Sequence, residues 1–411
     1  MKFTARSALA LSLLALANTG SAFDYIAPEN LPEWLRVAVS NDKTVEGSTP
    51  IIIEELSVSG AVQGKATLVE QDEEVLYYQI DIGTDTPVEC YSLATFDGPA
   101  NSLYGMLSVT TDAIAQSQKK PLLATYNFAS DVGVVDHTPY LGLELMFLIG
   151  EDASPIMSMV KGFSAEVGDR LQLCIHQEIG YRSAFFSVFE SFVTAFTSTE
   201  SDPGFFANVF LYAIGDMPVG YAMDTFSFDE DDDVYNRSTQ SLLIPTDETS
   251  VSSTDFVLHE WSSVDGAIIS SDRYTIENGE LASEFELWVE DDQWQVAGQL
   301  QGKTLNTTLQ HDSGLLSGFG QYLEAARIRT TDQTESEFFT FVAEADPTAA
   351  IPIVLEEIKG NEDANLRMTM GPMQIDALLD GNGIFREMKV SQGPLVLTMS
   401  SLYSKGELLP Q

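Results

Sequence analysis

From residue 205 onward the chain is written in short apolar–polar runs separated by turns, and this constrains its fold more than any other feature. The runs lie at 205–214, 219–228, 234–244, 254–262, 267–276, 281–289, 294–300 and 304–310. Between them stand Gly215-Asp216, Asp229 to Asp233, Asp265-Gly266, Asn278-Gly279 and Asp291-Asp292. Such residues accept the positive φ that tight hairpin turns require. Leu281-Ala-Ser-Glu-Phe-Glu-Leu-Trp-Val alternates apolar with polar side chains, giving one face that must be covered. Connections this short join antiparallel neighbours, so the prediction is a β-meander.

A Gly-broken helical stretch at 315–327 follows, and then at least four more strands. One of these pairs runs from Met373 to Met388 around the turn Asp380-Gly381-Asn382-Gly383. The layout of consecutive curved strands, interposed helix and terminal hairpin resembles the periplasmic half-barrel domains of the LolA and LolB lipoprotein-carrier type. The resemblance covers the second half alone. It implies an incompletely closed sheet over an apolar cavity, and with it carriage of a lipid or other apolar ligand.

The first half reads differently. Strands are expected within 55–83 and at 88–94, 140–150, 155–163 and 171–179, with a helix from a cap at Asn101 to about Gln118 whose inward side chains are Leu103, Met106, Leu107 and Ala113. Phe185, Val188, Phe189, Phe192, Val193 and Phe196 then recur at helical spacing as one apolar stripe. Burying six such side chains is worth roughly 9–18 kcal/mol gross, so the stripe is core. The polar segment 198–204, with Pro203 and Gly204, separates the two styles. The expected class is therefore α+β: an α+β sandwich at 23–200, followed by an antiparallel, half-barrel-like β-meander domain at 201–411.

The N-terminus has the three zones of an export signal. Lys2 and Arg6 precede an apolar run at 8–17, and Gly20 and Ala22 supply small residues before a cut at Phe23. Residues 1–22 are thus expected to be removed and the mature chain to be periplasmic or secreted. The apolar stretches at 140–150 and 205–214 are too short for a transmembrane helix, so no membrane span is expected. Acidic residues number 62 against 20 basic, a formal charge of −42. A surface so negative repels phosphate backbones, which excludes nucleic acid as a partner.

Chemistry-bearing residues are few. Cys90 and Cys174 sit in separate predicted strands, and an oxidising compartment makes them a disulfide. Cys174, His176 and Glu178 alternate onto one strand face, bringing a thiol, an imidazole and a carboxylate together. The same face can serve as a plain polar surface, since neighbours two apart on a strand lie beyond hydrogen-bond reach. His259-Glu260 lacks the second histidine of a helical zinc site, while His137 and His311 stand beside Asp residues in turn-like sequence. In Asp229 to Asp233 a calcium loop fails, with Val234 at its glycine position and Gln240 at its bidentate glutamate position. Met157, Met159, Met368, Met370 and Met373 offer thioether pairs of a kind that can hold Cu(I), a pattern that core packing explains as well.

No metal site and no cofactor is expected. The reading is of an exported, non-enzymatic envelope protein that binds an apolar ligand or a protein partner. A thiol-dependent or metal-assisted hydrolase on the Cys174, His176 and Glu178 face is the alternative. A structural or interaction subunit of an envelope assembly is a third.

Overall fold

The structure, a computed structural model, describes residues 31–408 apart from 57, 152–153, 198–203, 310, 312–313 and 393–394. The export signal, its cut at Phe23 and most of the segment 198–204 lie outside the described residues. Two compact units form. One comprises the described residues of Ser21–Asp202 together with Ser241–Asp255; the other comprises those of Pro203–Gln240 and Phe256–Gln411.

In the N-terminal unit a short helix, α1 (Glu33–Val39), precedes a hairpin of β1 (Ser48–Ile53) and β2 (Val58–Gln63). A seven-stranded antiparallel sheet follows. Its strands are β3 (Lys65–Gln71), β4 (Val75–Asp81), β5 (Val88–Leu93), β6 (Leu122–Val135), β7 (Thr138–Glu151), β8 (Ser154–Val167) and β9 (Arg170–His176), in the order β3-β4-β5-β9-β8-β7-β6. The β6–β7 hairpin turns at Asp136 and His137, both at positive φ, so His137 does serve a turn.

Helices cover both faces of this sheet. On one lies α2 (Pro99–Ser117), which Gly162 admits closely: a Cβ there would sit 2.7 Å from Leu103. On the other lies α3 (Arg182–Phe196), whose six-residue stripe is entirely buried. Phe185 and Phe189 pack on Phe163, with ring centroids 5.2 Å apart in each case. Helix α2 is one turn-fragment longer at its start than the sequence suggests, and Asn101 is a buried residue of its first turn rather than the cap. Leu103 and Leu107 are buried as expected, whereas Ala113 is exposed.

The C-terminal unit is built on a second antiparallel sheet. Its strands are β10 (Phe206–Ile214), β11 (Met217–Phe228), β12 (Val234–Pro245), β13 (Val251–Ser262), β14 (Ile268–Glu277), β15 (Glu280–Glu290), β16 (Gln293–Leu300) and β17 (Lys303–Thr308), then α4 (Gly318–Thr330) and β18 (Glu335–Thr340), β19 (Ile351–Glu357), β20 (Leu366–Met370), β21 (Met373–Leu379), β22 (Phe385–Gln392) and β23 (Leu395–Gly406). The order runs from β17 back to β10 and then from β23 back to β18, fourteen strands in one sheet. It is a double meander, as the turn spacing requires.

Twisted sheets of this width rarely persist without curling, splitting or flattening, and α4 packs across one face of this one. Tyr322 packs edge-on against Phe206 of β10, Phe226 of β11 and Phe385 of β22. Glu324 of the same helix accepts a hydrogen bond from Ser336 on the edge strand β18, 2.8 Å away. Leu316 then donates its N–H to Phe339 at the end of β18 and forms a bridge to Ala267 just before β14. One helix therefore touches strands far apart in the sheet order.

The expected α+β class is corrected. The chain is 57 % strand and 16 % helix, a mostly antiparallel β protein of two large sheets, so the expected α+β sandwich is overturned while the meander of the C-terminal unit stands. Strand length is the reason: β6, β7 and β8 run to 14 residues each. Strand β6 was absent from the sequence reading because Asn127, Ser130 and Asp131 interrupt its apolar pattern.

Candidate functional site

Cys90 on β5 and Cys174 on β9 are direct register partners, joined by a disulfide and fully buried. A bridged sulfur offers no thiolate. Thiol chemistry at Cys174 is therefore closed while this bond stands.

Two residues along β9, His176 lies directly opposite Lys161 on β8, and Lys161 lies directly opposite Glu144 on β7. The three form one row across three strands, with residue exposures of 0 %, 2 % and 7 %. The row is a polar seam between two apolar clusters. On one side are Cys174, Phe163 and the α3 stripe; on the other, Leu31 and Leu35 cover Met146 and Met159. Strand alternation produces this, because Glu144 stands between Gly142 and Met146, and Lys161 between Met159 and Phe163.

Loops and helix ends supply the partners. Arg182, the first residue of α3, places its guanidinium 3.3 Å from Glu144 and 3.3 Å from Asp131 of β6. The Glu144 oxygen facing Arg182 makes an ion pair there but no aligned hydrogen bond. Lys161 Nζ donates to the backbone carbonyl of Glu178. Glu178 in turn accepts from the N–H and hydroxyl of Thr86. His176 Nε2 stands 3.5 Å from Thr84 Oγ1, while its Nδ1 has no hydrogen-bond partner. The Phe185 ring lies over both His176 and Lys161, at 5.8 and 6.0 Å.

Burial dominates the electrostatics. It brings the Lys161 ammonium down to about 8, against the pull of Glu144, Glu178 and Asp42. Burial, aided by the Lys161 charge, holds His176 down to about 3, so the ring is neutral at pH 7. Burial likewise raises Glu144, opposed by Arg182 and Lys161. Shifts of this kind are common at functional sites and also arise in structural ion-pair networks. All three groups are shielded from solvent, so in this arrangement they hold protons and orient loops rather than meet a substrate.

The predicted residues divide accordingly. Cys174 and His176 face the same cluster, whereas Glu178 has left the strand and serves a loop. Glu144, Lys161 and Arg182 were not singled out from sequence. The available signal was a single charge inside each of two otherwise apolar runs, an arrangement that demands a partner.

The other chemical candidates resolve into structural roles. His259 Nδ1 lies 2.5 Å from the hydroxyl of Tyr235, and His311 rests 4.5 Å from the Phe339 ring. Asp229 accepts from the N–H groups of Asp231 and Asp233, closing its own turn. Met159 pairs with Met146, and Met370 with Met373, within packed strands. Among the described residues no group of three or more His, Cys, Asp or Glu is placed to hold a metal ion.

The C-terminal unit buries its own carboxylates beneath α4. Asp224 accepts from Ser238 at 2.7 Å and from Tyr322 at 2.9 Å, while Glu260 accepts from the Gly318 N–H at the helix start. Burial raises both carboxyls. Here the polar groups fasten a helix to a sheet.

No protein-family model matches the chain, and neither does any curated protein. Among solved structures it is similar to a beta-barrel-like protein of the domain of unknown function DUF1849 from Brucella abortus. That likeness spans 49 % of this chain and 96 % of the other, at 14 % identity and a TM-score of 0.38. At that level it carries nothing over to this protein. Among the described residues no helix is long and apolar enough to cross a membrane.

Proposed function

We propose that this protein works outside the cytoplasm, after loss of residues 1–22, as a non-catalytic binding protein whose partner is another envelope protein rather than a lipid. The observation that carries the choice is the covering of the large sheet by α4. Phe319 and Tyr322 of α4 are buried against Phe206, Phe226 and Phe385, so apolar side chains occupy the place where cargo would sit. A carrier needs an apolar cavity with room for its ligand. The Cys90–Cys174 disulfide supports the compartment, since such bonds persist where the surroundings are oxidising.

The excess of 62 acidic over 20 basic residues favours a partner with a basic face. Association of that kind is steered by charge and weakens with salt. Native mass spectrometry of the protein isolated from its own envelope tests the proposal. The expected result is a stoichiometric protein complex that dissociates as salt rises, with no lipid adduct and no saturable uptake of a hydrophobic fluorophore. A chain carrying lipid would restore the carrier reading and overturn this one.

A further inference from the structure

The polar row lies beneath two pieces of chain that also hold each other. Ile179, in the loop after β9, packs into the Leu31–Leu35 cluster, and Lys161 Nζ is bonded to the carbonyl of Glu178 in that loop. Asn41, just beyond α1, accepts the Tyr181 N–H at 2.6 Å. Asp42 then accepts the N–H groups of Ser183 and Ala184 at 2.9 and 3.1 Å, closing the start of α3. The N-terminal segment, the loop and the helix start form one cover fastened to Lys161 and Glu144, and His176 adjoins it through Lys161, its register partner.

The charges that face the row come from every element around it. Lys161 meets Glu144 of β7, Glu178 of the loop, Asp42 of the N-terminal segment and Arg182 of α3. Glu144 meets Arg182, Lys161 and Asp131 of β6. His176 has Lys161 as its charged neighbour and no acid partner. A proton on His176 would set a second cation beside Lys161 in a site closed to water.

We propose that His176 is an acid trigger: its protonation lifts the cover formed by residues 33–43 and 177–184, and uncovers the apolar face lined by Met146 and Met159. Thermodynamic linkage fixes the sign. The closed state depresses the affinity of His176 for a proton, so its contribution to closure is complete above about pH 6.5 and is lost as pH falls toward 3. Glu144 acts oppositely, because its raised affinity favours the closed state in acid. The displacement of the imidazole, from 6.5 to about 3, sets the window in which its proton favours opening.

Hydrogen exchange of the full chain, read by mass spectrometry and corrected for the intrinsic pH dependence, measures the opening. Between pH 6 and 4.5 the opening of 33–43 and 177–184 is expected to rise as pH falls, by at most about tenfold per pH unit, the slope of a single proton, reduced by what Glu144 takes up in the closed state. Peptides from β8 and from the second half of α3 should not follow. His176→Gln should flatten the slope. Should that variant fail to fold, NMR of the His176 ring in the unmodified chain tests the same coupling: a ring that takes its proton near pH 6.5 while 33–43 and 177–184 stay protected from exchange would overturn the proposal. An unchanged slope in a folded His176→Gln variant, or exchange of the cover only together with β8, would do the same.

Discussion

At the scale of single residues, the Lys161 ammonium dictates what its neighbours must be. Taking a charge out of water costs several kcal/mol unless a partner remains, and Glu144 is the carboxylate directly opposite it. Glu144→Gln is therefore expected to cost about 1–3 kcal/mol in urea unfolding, since it removes the Arg182 ion pair and the carboxylate that favours the Lys161 ammonium. The two cysteines make a second expectation at this scale. Protein denatured without reductant should take up no thiol label, and two labels per chain would contradict the bond between Cys90 and Cys174. That bond was legible in the sequence, because a pair of cysteines in an export context has few other fates. The row beside it was not. Glu144 and Lys161 stand out as charges within apolar runs, but their pairing follows from the order β9-β8-β7, which alternation along a strand cannot supply.

Among the elements, α2 shows how a helix end can be finished from elsewhere in the chain. Its N-cap, Gly98, has no side chain to accept a hydrogen bond. The buried Asp255 carboxylate does so instead, taking the N–H groups of Ala100 and Asn101 at 3.1 and 2.8 Å and the Asn101 amide at 2.8 Å. Asp255→Asn is expected to cost about 1–3 kcal/mol, since a buried donor loses its acceptor. Burial pushes Asp255 from 3.8 up to about 6, against the hydrogen bonds it receives from Ser241, Asn101 and Ala100. Its stabilising protonation is therefore present below about pH 4 and lost as pH rises through 6, and the variant should lack that part of the pH–stability profile. No local reading reaches this contact, with Asn101 and Asp255 separated by 154 positions in the chain. Helix α4 depends on a close approach of another kind. Gly383 has φ +82°, and a Cβ there would stand 2.3 Å from the Cα of Ala326. Gly383→Ala should lower the urea midpoint strongly, by an amount equivalent to at least about 1–3 kcal/mol.

For the whole molecule, turn chemistry announced the double meander, while the packing of α4 across the sheet and the sharing of residues between units did not show in any local pattern. The N-terminal unit includes Ser241–Asp255, where Asn127 donates to the carbonyls of Asp247 and Ser250 and Asp255 finishes α2. A fragment ending at residue 202 lacks these groups. It should unfold at lower urea than the same unit within the full chain, as read by the near-ultraviolet signal of its aromatic core. The position of β23 adds a condition on timing. Phe206 at the start of β10 pairs with Gly406 at the end of β23, so the middle of the large sheet is completed by its last strand. A chain made amino end first must leave β10 with one unpaired edge until β23 has been delivered. For that interval an apolar strand bearing Phe206, Val209 and Phe210 stands open to the wrong neighbour. Long-range closure of this kind folds slowly, and the arrival of β23 decides when the exposure ends.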